Sequence, residues 1–161
     1  MKLAERIATR RNIKTFRQDP VDETMVNAVL QTATMAPNHR LTEPWEVVFV
    51  GPKARAALNH GADFGGAPIV LAVLSNRGQN ELEREENLVA TACFVQNFLL
   101  LLHAEGVGTR WASLGSLPKN REILGAAEKY DVVGVFGIGY PSEIPAPKMR
   151  TPISEKTRHL P

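Results

Sequence analysis

The stretch EENLVATACFVQNFLLLLHAE, residues 85–105, decides how the rest of the chain is arranged. It is long enough for a helix of roughly five or six turns and contains no internal Gly or Pro. Acidic residues precede it, where the helix dipole favours negative charge, and Gly106 follows it, where a left-handed residue commonly ends a helix. Its apolar residues cover most of the helix circumference, which is typical of a buried helix.

A membrane span is the alternative interpretation of this stretch, and we do not favour it. Gln96, Asn97 and His103 interrupt an apolar run that is already short of the roughly 20 residues a bilayer requires. A small domain can hardly cover such a helix on all sides. We therefore expect one face to pack on the chain's own sheet and the other on a second copy, so the sequence predicts a homodimer with this helix at its centre.

Size and composition predict a single domain over residues 1–161 with a substantial core. The formal net charge of +2 and 22% charged residues give no reason to expect a nucleic-acid partner. The one cysteine, Cys93, excludes an intramolecular disulfide and indicates a reducing compartment; it lies among apolar residues and is interpreted as a packing residue. The first twelve residues lack the apolar stretch of a signal peptide, so we expect a cytoplasmic protein without a membrane partner.

The remaining pattern predicts one sheet and several short helices. In chain order the predicted elements are helices over 2–11 and 22–36, a strand over 45–50, a helix over 52–60, a strand over 68–74, the long helix, a strand over 107–113, a helix from 118 and a strand over 132–139. Asp22 is the predicted cap of the second helix, and Gly61 is predicted to end the third. The continuous apolar run 68–74 suits a central strand. This order favours an α/β or α+β fold with an extended tail after Tyr140.

Several familiar motifs are absent from the sequence. Gly106-Val107-Gly108 has Trp111 where a dinucleotide fingerprint requires a third glycine. There is no GxxxxGK[ST] phosphate loop, and the four histidines have no metal-ligand spacing, so no metal site is predicted. Ser113 lacks the preceding glycine pattern of a nucleophile elbow.

Three groups of residues are candidates for a binding site, and each has a plainer interpretation. Arg10, Arg11 and Lys14 form a basic cluster that is either a solvated surface or, together with Lys148 and Arg150, a phosphate pocket. The loop 37–45 carries Asn38 and His39 and is either a plain connection or a contact for a neutral heterocycle. Trp111-Ala112-Ser113, at the end of a strand, belongs either to the core or to a site.

Taken in order, four motifs resemble the nitroreductase family of FMN-dependent oxidoreductases, in particular its short single-domain members. The motifs are Arg10-Arg11-Asn12-Ile13-Lys14-Thr15-Phe16, then Ala36-Pro37 to Pro44-Trp45, then Gln96-Asn97 followed by Gly106 to Trp111, and finally Gly139-Tyr140-Pro141 with Lys148-Met149-Arg150. Each motif is weak alone, but together they span almost the whole chain. Two departures stand out, since Asn12 replaces the usual Ser and Glu43 the usual Gln.

The resemblance implies an α+β fold, a three-layer sandwich with a central mixed sheet flanked by helices and the long helix at a dimer interface. It also implies FMN bound where the two subunits meet, with Asn38 and His39 supplied by the partner, Lys14 near the pyrimidine edge, and the other residues at the phosphate, ribityl chain or ring. The implied cofactor-binding residues are Arg10, Arg11, Asn12, Lys14, Met35, Asn38, His39, Trp111, Ala112, Ser113, Lys148 and Arg150.

The function implied by the resemblance is a ping-pong transfer of two electrons from NAD(P)H through FMN to a quinone, a nitroaromatic compound or an unknown acceptor. FMN carries this chemistry, so no catalytic side chain is named. Nothing in the sequence chooses between NADH and NADPH. Two alternatives stay open: a flavin-binding relative that catalyses dehalogenation or flavin fragmentation, and a non-enzymatic dimeric scaffold that has lost FMN.

Overall fold

A single antiparallel sheet forms the middle of the molecule in the computed structural model, which describes residues 2–126 and 128–160. Its strands are β1 (Trp45–Phe49), β2 (Ile69–Asn76), β3 (Gly108–Ala112) and β4 (Tyr130–Gly139), in the order β1-β2-β4-β3. The predicted α+β class is confirmed. The expected mixed sheet was wrong for the four strands, because they all pair antiparallel. Among the described residues, the parallel pairing is an isolated bridge between Asn12 and Thr109.

Helices cover both faces of this sheet, which gives the three predicted layers. They are α1 (Leu3–Thr9), α2 (Glu23–Ala33), α3 (Pro52–Leu58), α4 (Gly61–Gly66), α5 (Glu81–Ala104) and α6 (Pro118–Ile123), with short 3-10 turns at His39–Leu41 and Ile153–Lys156. One apolar core joins α2 and α5 to residues such as Leu71 and Phe136 of the sheet. A second core lies on the opposite face, where Val70 and Val135 pack with Phe64 of α4. Alternating strand residues supply the two cores because neighbouring side chains point to opposite faces.

The long helix α5 extends four residues before the stretch 85–105 and includes the acidic residues there. The Asn80 side chain accepts a hydrogen bond from the backbone N–H of Glu83 at 3.0 Å, so the helix starts at Glu81. It ends before Gly106, whose φ of +75° is the left-handed conformation expected there. By length and composition this helix is apolar enough to cross a membrane, but it packs as the core helix of the domain against α2 and the sheet.

The burial of α5 is one-sided, as predicted. Phe94, Phe98 and Leu102 are almost completely buried, and the ring of Phe94 stacks on that of Trp45 with centroids 5.1 Å apart. In contrast, Leu82 is 66% exposed and Val89 is 65% exposed. An apolar surface along the first half of the helix is therefore left uncovered by the chain itself.

Ionic contacts hold the start of α5 against the sheet. Asp131 of β4 accepts hydrogen bonds from Arg84 of α5 at 2.7 Å and from Arg77 of the preceding loop at 2.9 Å. Burial by itself raises the pKa of the Asp131 carboxyl, but the two guanidinium groups outweigh it and the net pKa is lowered. The contact fixes the direction in which α5 leaves the sheet.

Two details of the shorter helices are not evident from the sequence pattern. On α1, Leu3 is 67% exposed and Ile7 is 54% exposed, so the chain itself leaves these apolar side chains uncovered. The helix α3 ends at Leu58, where Asn59 takes up left-handed angles, and not at Gly61. Asn is one of the few residues that adopt this conformation readily, so it supplies the helix end that we assigned to glycine.

Candidate functional site

The predicted N-terminal basic segment and the Trp111 strand lie side by side. The backbone N–H of Ile13 donates to the Thr109 carbonyl at 2.8 Å, and the Trp111 N–H donates to the Asn12 side chain at 2.9 Å. Asn12 and Lys14 are exposed, whereas Ile13 and Phe16 are buried. The segment therefore runs along the open edge of β3 with its polar side chains directed outwards.

Glycines make this close approach possible. A Cβ at Gly108 would lie 2.6 Å from the Ile13 side chain, and a Cβ at Gly134 would lie 2.2 Å from Nε1 of Trp111. Both distances are shorter than real carbon contacts allow. The positions of the N-terminal segment and of the tryptophan ring thus depend on glycine in β3 and in β4.

The indole of Trp111 forms a half-open surface next to the segment. Its Nε1 donates to the Val133 carbonyl at 3.2 Å, and its ring centroid lies 5.1 Å from that of Phe136, which leaves the residue 40% exposed. Ser113 is exposed beyond it, but Ala112 is buried in the second core on the opposite face of the sheet. Ala112 therefore offers backbone atoms to this surface and not its side chain.

At one end of this edge the chain forms a cavity of about 370 Å³, which we call the basic crevice. Its polar lining comes from Arg6, Thr9, Arg10, Arg11 and His103, and its floor includes Gly108 and Thr109. Partial burial, followed by the charges of Arg11 and Arg150, lowers the pKa of the Arg10 guanidinium. The charge of Arg150 in the tail thus acts on Arg10, while the phosphate pocket that they would form together stays a prediction.

Among the described residues, the arginines of the basic crevice form no ion pair with a carboxylate. Four arginines elsewhere form ion pairs with carboxylates, namely Arg17, Arg55, Arg77 and Arg84. Within the described ranges, no such pair involves Arg10, Arg11 or Arg150. Gathered positive charge without a carboxylate is the electrostatic arrangement of a site for an external anion.

Two members of the crevice, Arg6 and His103, were missed by the sequence analysis. His103 lies in the last turn of α5, and its Nε2 is 2.9 Å from Oγ1 of Thr9 at the end of α1. Arg6 lies one helical turn before Arg10, and that spacing was the only available signal for it. Burial, then the charges of Arg10, Arg6 and Arg11, lower the pKa of the His103 imidazole.

Lys14 and Lys148 are less closely integrated into the site. The Lys14 side chain lines a small cavity of about 140 Å³ with Thr15, Glu143 and Pro145. Its carbonyl accepts a hydrogen bond from Arg110 at 3.2 Å, which fixes the backbone there. Lys148 is exposed on the extended tail, two residues before Arg150.

The loop residues of the predicted site lie elsewhere. Asn38 holds the loop together, since its side chain donates to the Ala36 carbonyl and accepts from the Glu43 N–H. His39 is exposed, and Met35 is 77% exposed. Asn38 and His39 border a groove of about 530 Å³ beside the first half of α5, which we call the helix groove; its other lining residues are Pro37, Leu82, Glu85, Glu86, Val89, Ala90 and Cys93.

One chain does not bring the helix groove and the basic crevice together. The groove reaches Cys93 on α5, whereas the crevice begins at His103, ten residues further along the helix, and this corresponds to about 15 Å along the axis. Both parts of the predicted site flank the same helix but near opposite ends.

Comparison with known proteins agrees with this architecture. Residues 7–62 and 53–140 match the sequence model of the Nitroreductase family. The chain is 31% identical to YfhC of Bacillus subtilis (strain 168), over 96% of this chain and 92% of that protein. YfhC carries a provisional name as an NAD(P)H nitroreductase. The chain belongs to the nitroreductase family.

Solved structures show the same fold. A nitroreductase-like family protein from Bacillus cereus superposes with a TM-score of 0.91 at 32% identity, covering 99% of this chain and 96% of that one. The FMN and NADPH-dependent nitroreductase NfnB from Sphingopyxis sp. strain HMH superposes with a TM-score of 0.83 over 100% of both chains at 15% identity, a level that bears on the fold alone.

Proposed function

We propose that this protein is a homodimeric, FMN-dependent oxidoreductase that passes two electrons from NAD(P)H to a small organic acceptor. Membership of the nitroreductase family supports the general class. The observation that carries the cofactor assignment is the basic crevice, whose arginines lack carboxylate partners among the described residues and lie beside an exposed aromatic edge. A phosphorylated flavin has both the anion and the flat ring that such a surface fits.

The residues present suit the parts of FMN in turn. Arg10, Arg11 and Arg150 would hold the phosphate through charge-assisted hydrogen bonds. The Trp111 ring and the backbone of Ala112 and Ser113 would lie against the isoalloxazine, and Asn12 would fix the strand edge on which the ring rests. Bound FMN would supply the electron transfer, and the protein would supply binding, orientation and electrostatics.

Lys14 would tune the cofactor electrostatically. An ammonium group beside the pyrimidine edge stabilises the negative charge of the reduced flavin and so raises its potential. Asn12, which replaces the usual Ser, retains hydrogen bonding because its side-chain oxygen accepts from Trp111. The departure from the family pattern at this position is therefore compatible with the proposed role of the segment.

A second copy would complete each site. The uncovered apolar surface of α5, with Leu82 and Val89, supports the proposed interface, and its area continues into the helix groove beside Asn38 and His39. In a dimer with its two-fold axis perpendicular to α5, the two copies of this helix would run antiparallel. The first half of the partner's helix, with the loop that carries Asn38 and His39, would then lie near the end of α5 that borders this chain's basic crevice. The apolar side chains exposed on the tail, among them Met149 and Ile153, would then pack on the partner.

The test is to purify the protein, record its flavin absorbance, and add NADH or NADPH without oxygen. We expect a yellow dimeric protein that is bleached by one of the two nucleotides and regains its colour when a quinone is added. A yellow protein that neither nucleotide bleaches would favour a flavin-binding relative with other chemistry, such as dehalogenation or flavin fragmentation. A colourless protein that ignores added FMN would contradict the proposal and favour a scaffold.

A further inference from the structure

His103 is the titratable imidazole of the basic crevice, and its contact with Thr9 favours one of its two neutral tautomers. The Thr9 hydroxyl donates to the Glu5 carbonyl at 2.7 Å, so its proton is already engaged. This leaves the Thr9 oxygen, 2.9 Å from Nε2 of His103, as an acceptor for an Nε2–H, and we take this tautomer as the premise of the inference. In this arrangement Nδ1 of His103 is the unprotonated nitrogen and is the atom at which the imidazole can gain a proton.

The charges around His103 oppose that gain in the free protein. It faces Arg6 of α1 and, directly after that helix, Arg10 and Arg11, while the charge of Arg150 in the tail acts on Arg10. The nearby carboxylates do not offset them. Glu5 accepts a hydrogen bond from the backbone N–H of Lys2, and Glu105 is exposed beyond the end of α5. Together with partial burial, these arginines lower the pKa of His103.

We propose that Nδ1 of His103 takes up a proton from solvent when a phosphate dianion enters the basic crevice. The imidazolium then adds a positive charge beside Arg6, Arg10 and Arg11, while its Nε2–H keeps the bond to Thr9 that joins α5 to α1. The inference rests on the proposed function, since it takes the phosphate to be that of FMN. It assigns His103 a role in cofactor affinity and none in the transfer of electrons.

The predicted pH dependence follows from the two states of the imidazole. The neighbouring arginines lower the pKa of His103 in the free protein, and a bound dianion beside it raises that pKa. Binding therefore takes up one proton at pH values between the two pKa values. In that window FMN affinity falls as pH rises, by at most about tenfold per pH unit for a single proton.

The experiment is a proton NMR titration of the histidine C2–H resonances in the full-length protein, before and after saturation with FMN, and with inorganic phosphate as a second probe. His103→Gln assigns the resonance and supplies a side chain that donates to Thr9 but does not titrate. His60→Gln is the matched control. Partial burial and Arg110 lower the pKa of His60 too, but it borders a different cavity, beside Arg55 and Asp63.

We expect the pKa of His103 to rise on adding FMN or phosphate, and that of His60 to stay in place. The phosphate of free FMN titrates with a pKa of about 6, which changes the Kd of both proteins alike. The ratio of the two Kd values, wild type over His103→Gln, is therefore the quantity to follow. This ratio should increase with pH across the window. Riboflavin, which has no phosphate, should leave the His103 titration unchanged.

Two results would overturn the inference. One is an unchanged pKa of His103 in a protein that binds FMN tightly; the proposed function would stand and the role of His103 would fall. The other is an equal shift with riboflavin, which would trace the change to the ring instead of the phosphate. A protein that binds no FMN at all would instead refute the proposed function, and inorganic phosphate would then test whether the crevice responds to an anion.

Discussion

The two parts of the predicted site contrast in how much of their structure one chain provides. The basic crevice and the adjoining β3 edge are assembled by long-range contacts, including the bonds from Ile13 to Thr109 and from Trp111 to Asn12. The loop with Asn38 and His39 is held by short-range bonds and borders an open apolar groove. In the proposed dimer, the first part is therefore the finished half-site of one chain, and the second is the half-site that the chain would present to its partner.

The largest expected effect comes from placing a charge on the exposed face of α5. Val89→Glu adds a carboxylate to a groove that already contains Glu85 and Glu86. Burying it unpaired in an interface costs several kcal/mol, about enough to lower dimer affinity more than a thousandfold. We expect a folded monomer by light scattering and, because each flavin would lose its second half-site, no retained FMN.

Leu117→Glu is the matched control for that variant. Leu117 is also apolar and 59% exposed, but it lies before α6, away from α5. It should leave a yellow dimer. If Val89→Glu stays dimeric and yellow as well, the apolar face of α5 is not the interface and the proposed distinction between the two half-sites fails.

A smaller loss is expected from changing the finished half-site itself. Arg10→Ala removes one charged partner of the phosphate, and charge-assisted hydrogen bonds of this kind contribute about 1.5–3 kcal/mol each. We expect a dimer whose Kd for FMN rises by about ten- to a hundredfold, measured by quenching of flavin fluorescence, with riboflavin binding unaffected.

Arg17→Ala serves as the comparison for Arg10→Ala, because Arg17 is exposed and already paired with Asp19 at 3.2 Å. It should bind FMN like the wild type. Equal losses in both variants would show that the overall positive charge attracts FMN and that the crevice has no specific role.

The smallest effect should come from displacing the tryptophan without changing any charge. In Gly134→Ala the new methyl group would meet Nε1 of Trp111, so the half-exposed indole must move outwards. We expect FMN affinity to fall several-fold while the thermal midpoint changes by a few degrees, about the effect of 1 kcal/mol in a domain of this size.

Gly51→Ala is the control for that substitution, since a Cβ at Gly51 would meet nothing within 4 Å. Its flavin affinity should be unchanged. If Gly134→Ala binds FMN as tightly as Gly51→Ala does, the Trp111 surface is not where the ring rests.

Local patterns predicted the frame of this molecule well. The continuous apolar run 68–74 predicted the buried strand β2. The apolar residues on most sides of the predicted helix 85–105 indicated the core helix α5. Arg10, Asn12 and Trp111 were identified because they belong to motifs of consecutive residues. Their convergence followed from the resemblance, and the structure brings them to one edge of the sheet.

What the sequence did not reveal depends on contacts between distant residues. His103 joins the crevice only because α5 ends beside Thr9, ninety-four positions away in the chain. The successive left-handed angles of Ala62, Asp63 and Phe64 in α4 have no local signal either, since Ala and Phe ordinarily avoid such angles. They are stabilised by tertiary contacts, including the bond from the Phe16 N–H to the Gly65 carbonyl.

The central claim is that each flavin is bound by the crevice of one subunit and the loop of the other, and subunit mixing tests it most directly. Arg10→Ala disables the crevice, and His39→Glu places a charge on the loop. Each variant alone should bind FMN poorly. Unfolding and refolding an equal mixture should restore about a quarter of the wild-type FMN sites, because half of the dimers are hybrids with one intact site each. No recovery, with hybrid dimers present by mass spectrometry, would mean that crevice and loop act within a single chain or not at all.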